Sequence, residues 1–199
     1  MMTATPGGIP GERRQRNDVR RNRERLIAAA QETFAEAGPE ASLNEIARRA
    51  GVGSGTLYRH FPTRSALLAA VLSDRVRTLC GTAEKLRAAE SADDALDAWL
   101  RAFLAHARTN QGLGGAAILE GADALDLDCH RLILEAAAGL LTRAQRQGTA
   151  RADLTPEDLI QLVVGIALST ARNDDTEQSD RLLGLVLDAV HGARGGGHG

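Results

Sequence analysis

Residues Ser42 to Phe61 read SLNEIARRAGVGSGTLYRHF, and this stretch decides the fold. Ser42 and Glu45 form an S-x-x-E capping box, which predicts a helix starting at Leu43. Leu43, Ile46, Ala47 and Ala50 recur at helical spacing and share one face. Gly51 and Gly53 flank Val52 and can take left-handed backbone angles that other residues reach only at a cost. Ser54 is placed to cap a second helix carrying Leu57, Tyr58 and Phe61, and Pro62 biases Phe61 out of the helical region and stops that helix. A helix, a glycine-bearing turn and a short second helix make a helix-turn-helix, in which the second helix enters a major groove and the first crosses the backbone. The same pieces also build plain helical corners, so this pattern alone leaves packing and DNA binding both open.

Outward from this motif, charge is unevenly divided. The chain has 199 residues and a net charge of −2, which by itself argues against a nucleic-acid binder. Residues 1–80, however, carry 13 Arg against 8 acids, a net of +5, while residues 81–199 carry 11 bases against 18 acids, a net of −7. A basic head on an acidic body suits a protein whose head meets phosphates and whose body is repelled from them. With 43% hydrophobic, 25% charged and only 3% aromatic residues, and with Ala and Leu abundant, the composition favours helices over sheets in an all-α fold. Cys80 and Cys129 lack metal-ligand spacing, so two free thiols in a reducing cytoplasm are expected, with no metal and no cofactor. No apolar core follows the first Met, so no signal peptide is expected, and the longest apolar stretch, Leu159 to Leu168, contains Gln161 and is too short to span a membrane.

Along the chain, residues 1–17 read as a disordered basic arm: a Pro/Gly-rich start followed by the first of the arginines Arg13, Arg14, Arg16, Arg20, Arg21, Arg23 and Arg25. Such runs are usually solvated, but before a helix-turn-helix they can reach phosphates or a minor groove. Residues 18–62 form the helix-turn-helix domain. Its first helix, Asp18 to Ala37, turns Leu26, Ile27, Ala30, Phe34 and Ala37 inward, and Gly38-Pro39 end it. Residues 63–191 form a helical body, and 192–199 a disordered Gly-rich tail. Thr63 caps the helix carrying Leu67, Leu68, Val71, Leu72, Val76 and Leu79, which links head to body. Next come Asp93 to Arg108, a break at Gln111 to Gly115, a short helix around Ala116 to Ala122, and a helix from Leu127 to Gln147. Thr155-Pro156-Glu157-Asp158 starts another that runs to Ala171, and Glu177 to His191 closes a set of about nine helices.

The run Thr56 to Arg64, TLYRHFPTR, joined to SLNEIARRAGV before it, resembles the N-terminal DNA-binding domain of TetR-family transcriptional repressors. The resemblance covers about Arg20 to Leu72, and the L-Y-x-H-F core is its specific part. It implies a dimeric, ligand-responsive repressor of a palindromic operator, not an enzyme. It also implies roles for single residues. Tyr58, a core residue on the bland reading, occupies a DNA-touching position, and a phenol can reach a phosphate or a thymine methyl. His60, otherwise a structural cap, matches a phosphate-binding His. Thr56, Arg59 and Arg64 fall at or near backbone-contacting positions, while Asn44, Ser54 and Gly55 match positions facing base edges. Ser42 offers a hydroxyl and helix-terminal N–H groups to a phosphate.

In the body, the resemblance implies an effector pocket, for which Trp99, Phe103, His106, Leu119, Glu120, Asp123, His130 and Leu134 are candidates, each also readable as ordinary core or surface. The last two helices carry apolar faces with small residues: Leu162, Val163, Gly165, Ile166 and Leu168 on one, Leu182, Gly184, Leu185, Val186 and Val190 on the other. These suit a four-helix homodimer interface. Two alternatives compete. Asp128, Cys129 and His130 suggest a nucleophile with a base, but neighbours on a helix point apart, and no G-x-S-x-G, H-E-x-x-H or Walker loop occurs. A thiol-based redox regulator using Cys80 or Cys129 would need an exposed thiol of low pKa.

Overall fold

The computed structural model describes residues 10–119, 123–171 and 176–191, and of residues 10–14, 111–119 and 123–128 the backbone alone. Among the described residues there are eight helices and no strand: α1 (Pro10–Ala37), α2 (Leu43–Arg49), α3 (Ser54–His60), α4 (Arg64–Leu86), α5 (Ala92–Leu119), α6 (Asp123–Arg146), α7 (Pro156–Ser169) and α8 (Thr176–His191). They fall into two compact units, Met1–Val71 and Leu72–Gly199. The disorder expected over residues 1–9 and 192–199 lies outside the described residues.

The first unit closes a small core. Leu26, Ile27, Ala30 and Phe34 of α1, Ile46 and Ala47 of α2, Leu57 of α3, and Phe61, Leu67, Leu68 and Val71 are all buried. Each large aliphatic side chain removed from water contributes about 1.5–3 kcal/mol before entropy is charged against it. Ala37, expected inside, is exposed, and Thr33 is buried instead, its hydroxyl donating to the Ala29 carbonyl at 2.7 Å. The helix expected from Asp18 begins at Pro10, so residues 10–17 are helical rather than disordered. Proline fits a first helical position, and the Arg, Gln and Glu that follow are good helix formers.

The turn between α2 and α3 uses only one of its two glycines as expected. Gly51 has φ +64, its N–H donates to the Arg48 carbonyl at 3.0 Å, and the Val52 N–H donates to the Ala47 carbonyl at 3.0 Å. This paired closure is a Schellman ending, which requires the left-handed residue. Gly53 is instead extended at φ −72, ψ 151 and is itself the N-cap of α3, so Ser54 opens the helix rather than capping it. The Ser42–Glu45 box is half formed. The Ser42 hydroxyl accepts from the Glu45 N–H at 3.5 Å, but the Glu45 carboxylate turns to Arg48 and Arg49. By contrast, Thr155 and Asp158 complete both halves of their box at 2.9 and 3.2 Å.

Helix α4 starts from Thr63, whose hydroxyl accepts from the Ala66 N–H at 3.1 Å. The division between units falls after Val71, inside this helix, not after residue 62, because Leu67, Leu68 and Val71 belong to the core of the head. In the second unit α5 lies against α6, α7 and α8, α6 packs on α7, and α7 on α8. Trp99, Leu96, Leu100, Phe103, Leu140, Leu141, Leu159, Val163, Leu183 and Leu187 fill the centre. The break expected at Gln111 to Gly115 is absent: α5 runs through it to Leu119, which removes the short separate helix and leaves eight helices rather than nine. A glycine costs about 1 kcal/mol in a helix interior, too little to stop one already nucleated over several packed turns.

Candidate nucleic-acid interface

Helix α3 is anchored by one side chain. Leu57 points inward and is buried, which turns Ser54, Gly55, Tyr58 and Arg59 to solvent and leaves Thr56 and His60 half-buried. Tyr58 is 49% exposed, so its ring belongs to the outer face and not to the core. The ring of His60 stands 6.2 Å from that of buried Phe61, which also carries the Arg23 guanidinium 5.4 Å above its centroid. Ser42 and Asn44 lie exposed at the start of α2.

The arginines around this face divide into two groups. Arg48 grips the Glu45 carboxylate at 2.8 and 2.7 Å, Arg49 reaches it at 2.9 Å, and Arg49 also meets Glu36 at 2.7 Å. The hydrogen bonds from Arg48 and then Arg49 hold the Glu45 carboxyl down to about 2. Arg25 donates to the Gly51 carbonyl at 3.4 Å, tying α1 to the turn. Arg64 is half-buried, its Nη1 donating to the Pro39 carbonyl at 2.7 Å and the Ala41 carbonyl at 2.6 Å. That side chain straps the loop before α2. Arg21 and Arg59 are exposed and meet no carboxylate among the described residues. The ties of Arg49 to Glu36, of Arg25 to Gly51 and of Arg64 to Pro39 and Ala41 were not expected, because each crosses between elements.

In the second unit, Trp99 is fully buried and donates Nε1–H to the Leu79 carbonyl at 3.2 Å, and Phe103 stacks on it at 5.5 Å. His106 stacks on Phe103 at 6.4 Å. Burial, then the charge of Arg75, pushes the His106 imidazole down to about 4, so it is neutral near pH 7. Asn110 bridges the two: it accepts from Arg75 Nη1 at 2.7 Å and donates to the His106 ring. Arg75 and Asn110 were not among the expected residues. His130 is exposed and Leu134 half-buried, whereas Glu120 and the side chains of Leu119 and Asp123 lie outside the described residues.

On α7 and α8, Leu162, Gly165, Leu168 and Leu185 are exposed, and Leu182, Gly184 and Val186 half-buried. Val163, Ile166 and Val190 depart from this set: they turn into the core, because α7 packs on α5 and α6 through the face that carries Leu159, Val163 and Ile166, and Val190 of α8 joins the same core. Cys80 is half-buried and donates to the Leu132 carbonyl at 3.4 Å. Burial above all, with Cys129 nearby, raises its pKa, the reverse of what a redox-reactive thiol needs. Cys129 is half-buried and its neighbour His130 exposed, and the side chain of Asp128 lies outside the described residues.

A three-helix head with a solvent-facing second motif helix, joined to a separate all-helical unit, defines a helix-turn-helix DNA-binding regulator. Residues 26–71 match the family described as bacterial regulatory proteins, tetR family, and residues 91–191 match the C-terminal domain of SbtR-like transcriptional regulators. The chain belongs to the TetR family of transcriptional regulators. It is similar to a TetR transcriptional regulator of Streptomyces coelicolor, with 40% identity and a TM-score of 0.75, over 86% of this chain and 99% of that one. A TetR regulatory protein of Mycobacterium vanbaalenii is 36% identical with a TM-score of 0.73, over 89% and 99%. The HTH-type regulator TtgW of Pseudomonas putida is 43% identical over 63 residues, 31% of this chain and 47% of that protein, so this match spans under half of the relative's length. HTH-type regulators of Staphylococcus aureus are 47% identical over 53 residues, 29% of their length. Among the described residues no helix is long and apolar enough to cross a membrane.

Proposed function

We propose that this regulator is a repressor that binds a palindromic operator as a homodimer and is released by a small-molecule effector. The observation that carries the reading is the outer face of α3, with Leu57 turned in and Tyr58 and Arg59 turned out. On this reading Ser42, Thr56, Tyr58 and His60 meet phosphates, and Asn44, Ser54, Gly55 and Arg59 face base edges. Arg64, with its Nη1 held by two carbonyls, is a positioning residue for the loop before α2.

A single recognition helix buries too little surface for a tight specific site, and a two-fold dimer supplies two. The exposed apolar stripe of Leu162, Leu168 and Leu185 supports an interface on α7 and α8. Selection from random duplexes by the full chain is the test. The expected product is a two-fold symmetric site whose binding Tyr58→Ala weakens without changing stability. No enriched site, or unchanged affinity in Tyr58→Ala, refutes the mapping, and a 21.0 kDa monomer in sedimentation at working concentration refutes the dimer.

A further inference from the structure

A charged side chain removed from water is normally met by an opposite charge, because desolvation costs far more than a neutral hydrogen bond returns. Arg75 on α4 breaks this rule. It is half-buried, and among the described residues its guanidinium meets no carboxylate: its one partner is the neutral Asn110 side chain, at 2.7 Å. An ionisable neighbour makes matters worse. His106 would carry the same sign of charge as Arg75 when protonated, and burial first, then the Arg75 charge, keeps it neutral. Among the described residues the cluster therefore carries one positive charge and no negative one.

Its donors are also aimed. Asn110 Oδ1 takes one N–H of Nη1, which leaves the Nε and Nη2 edge of the guanidinium for two parallel bonds, the geometry a carboxylate fits. Asn110 Nδ2 donates to the His106 ring, lying 3.2 Å from Nδ1 and 2.9 Å from Nε2. Whichever ring nitrogen accepts, the other carries a proton and is a further donor. Behind His106, Phe103 and Trp99 continue as a buried aromatic stack.

We propose that Arg75, with Asn110 and His106 beside it, receives the carboxylate of a small organic acid whose apolar remainder lies toward Phe103. A single guanidinium beside a neutral imidazole matches one negative charge, and a dianionic phosphate would leave a charge unmet. The inference rests on the effector-release reading and names the chemical class of that effector.

The test uses the full chain without DNA and two probe pairs, octanoate against octanol and phenylacetate against 2-phenylethanol, followed by calorimetry. The expected result is a carboxylate preference of about tenfold or more within a pair, about 1.4 kcal/mol. Arg75→Gln should erase that preference, and Arg75→Lys, which keeps the charge without the fork, should keep part of it. A wild-type protein that binds neither acid saturably at millimolar concentration, or that binds alcohol and acid alike, overturns the proposal, as does a preference that survives in Arg75→Gln. Operator binding is read separately. A chain that selects an operator but prefers no carboxylate sinks this inference alone, and one that prefers carboxylates but selects no operator sinks the DNA reading alone.

Discussion

Replacing Gly51 by alanine probes the joint on which the recognition helix is hung. At φ +64 an alanine meets the left-handed penalty, about 1–2 kcal/mol. The new Cβ would stand 2.4 Å from Arg25 Nη2, which has to swing away and give up its 3.4 Å bond to the Gly51 carbonyl. That bond is exposed and long, and losing it adds about 0.5 kcal/mol at most. The smaller unfolded-state entropy of alanine returns about 0.4–1 kcal/mol, so the net loss is about 1 kcal/mol. For a chain of this size that lowers Tm by about 2–4 °C per kcal/mol. Gly53→Ser is the matched control. It has φ −72, nothing within 4 Å of an added Cβ, and an N-cap position where serine can accept from α3, so it should stabilise by about 0.5–1 kcal/mol. Urea unfolding followed by circular dichroism measures both. An alanine at 51 as stable as wild type, or a serine at 53 as damaging as that alanine, refutes the assignment of the left-handed residue.

Three further outcomes are expected. Arg64→Ala removes two charge-assisted bonds from a half-buried guanidinium and should cost about 1.5–3 kcal/mol in urea unfolding. It should leave the salt slope of operator binding nearly unchanged, where a phosphate contact would flatten it by about one unit. His191 donates to Asp97 and to the Thr149 carbonyl, both at 2.7 Å; burial opposes its charge, but these partners outweigh it and raise its pKa above 6.5. The stability that the charged form contributes is fully present below pH 6.5 and is lost as pH rises through the raised folded value, so His191→Asn should destabilise more in acid than in alkali, and an equal loss at both ends sinks this. Leu185→Glu places a charge in the exposed stripe of α7 and α8 and should shift sedimentation toward the 21.0 kDa monomer, whereas an unaltered dimer would move the interface elsewhere.

Local pattern carried the helices well, because their signals lie within a few residues. The Thr155-Pro156 start, the Thr63 cap and the Gly51 turn are each decided by neighbours in sequence. The failures share a different cause. Ser54 and Gly53 compete for one cap, and which one wins depends on how α3 leaves the turn. The glycines at 112, 114 and 115 look like a break, yet one long helix runs through them. Val71 rather than residue 62 ends the head because burial of Leu67, Leu68 and Val71 is decided by the core of that unit. At the candidate site, the outward position of Tyr58 came from the family resemblance, because adjacent residues such as Tyr58 and Arg59 share no face by spacing alone. The partners of Arg64 lie 25 and 23 residues away, and those of Arg75 and Cys80 lie 35 and 52 away, beyond any periodicity.

The arginine count of the head therefore overstates the charge that a duplex would meet. Arg48 and Arg49 are neutralised by Glu45 and Glu36, Arg64 is turned to carbonyls, Arg25 to the turn and Arg23 to the face of Phe61. These five position the two motif helices relative to α1 and the loop before α2. Among the described residues Arg21 and Arg59 are exposed and meet no carboxylate, which leaves Arg21 for phosphates and Arg59 for base edges. Each phosphate neutralised contributes about −0.9 to the slope of log K against log salt. A slope near what these few residues supply per protomer would assign the clustered arginines to architecture. One approaching the full 11 arginines of Met1–Val71 would mean that the Glu45 and Glu36 pairs open on DNA and that the head is rebuilt when it binds.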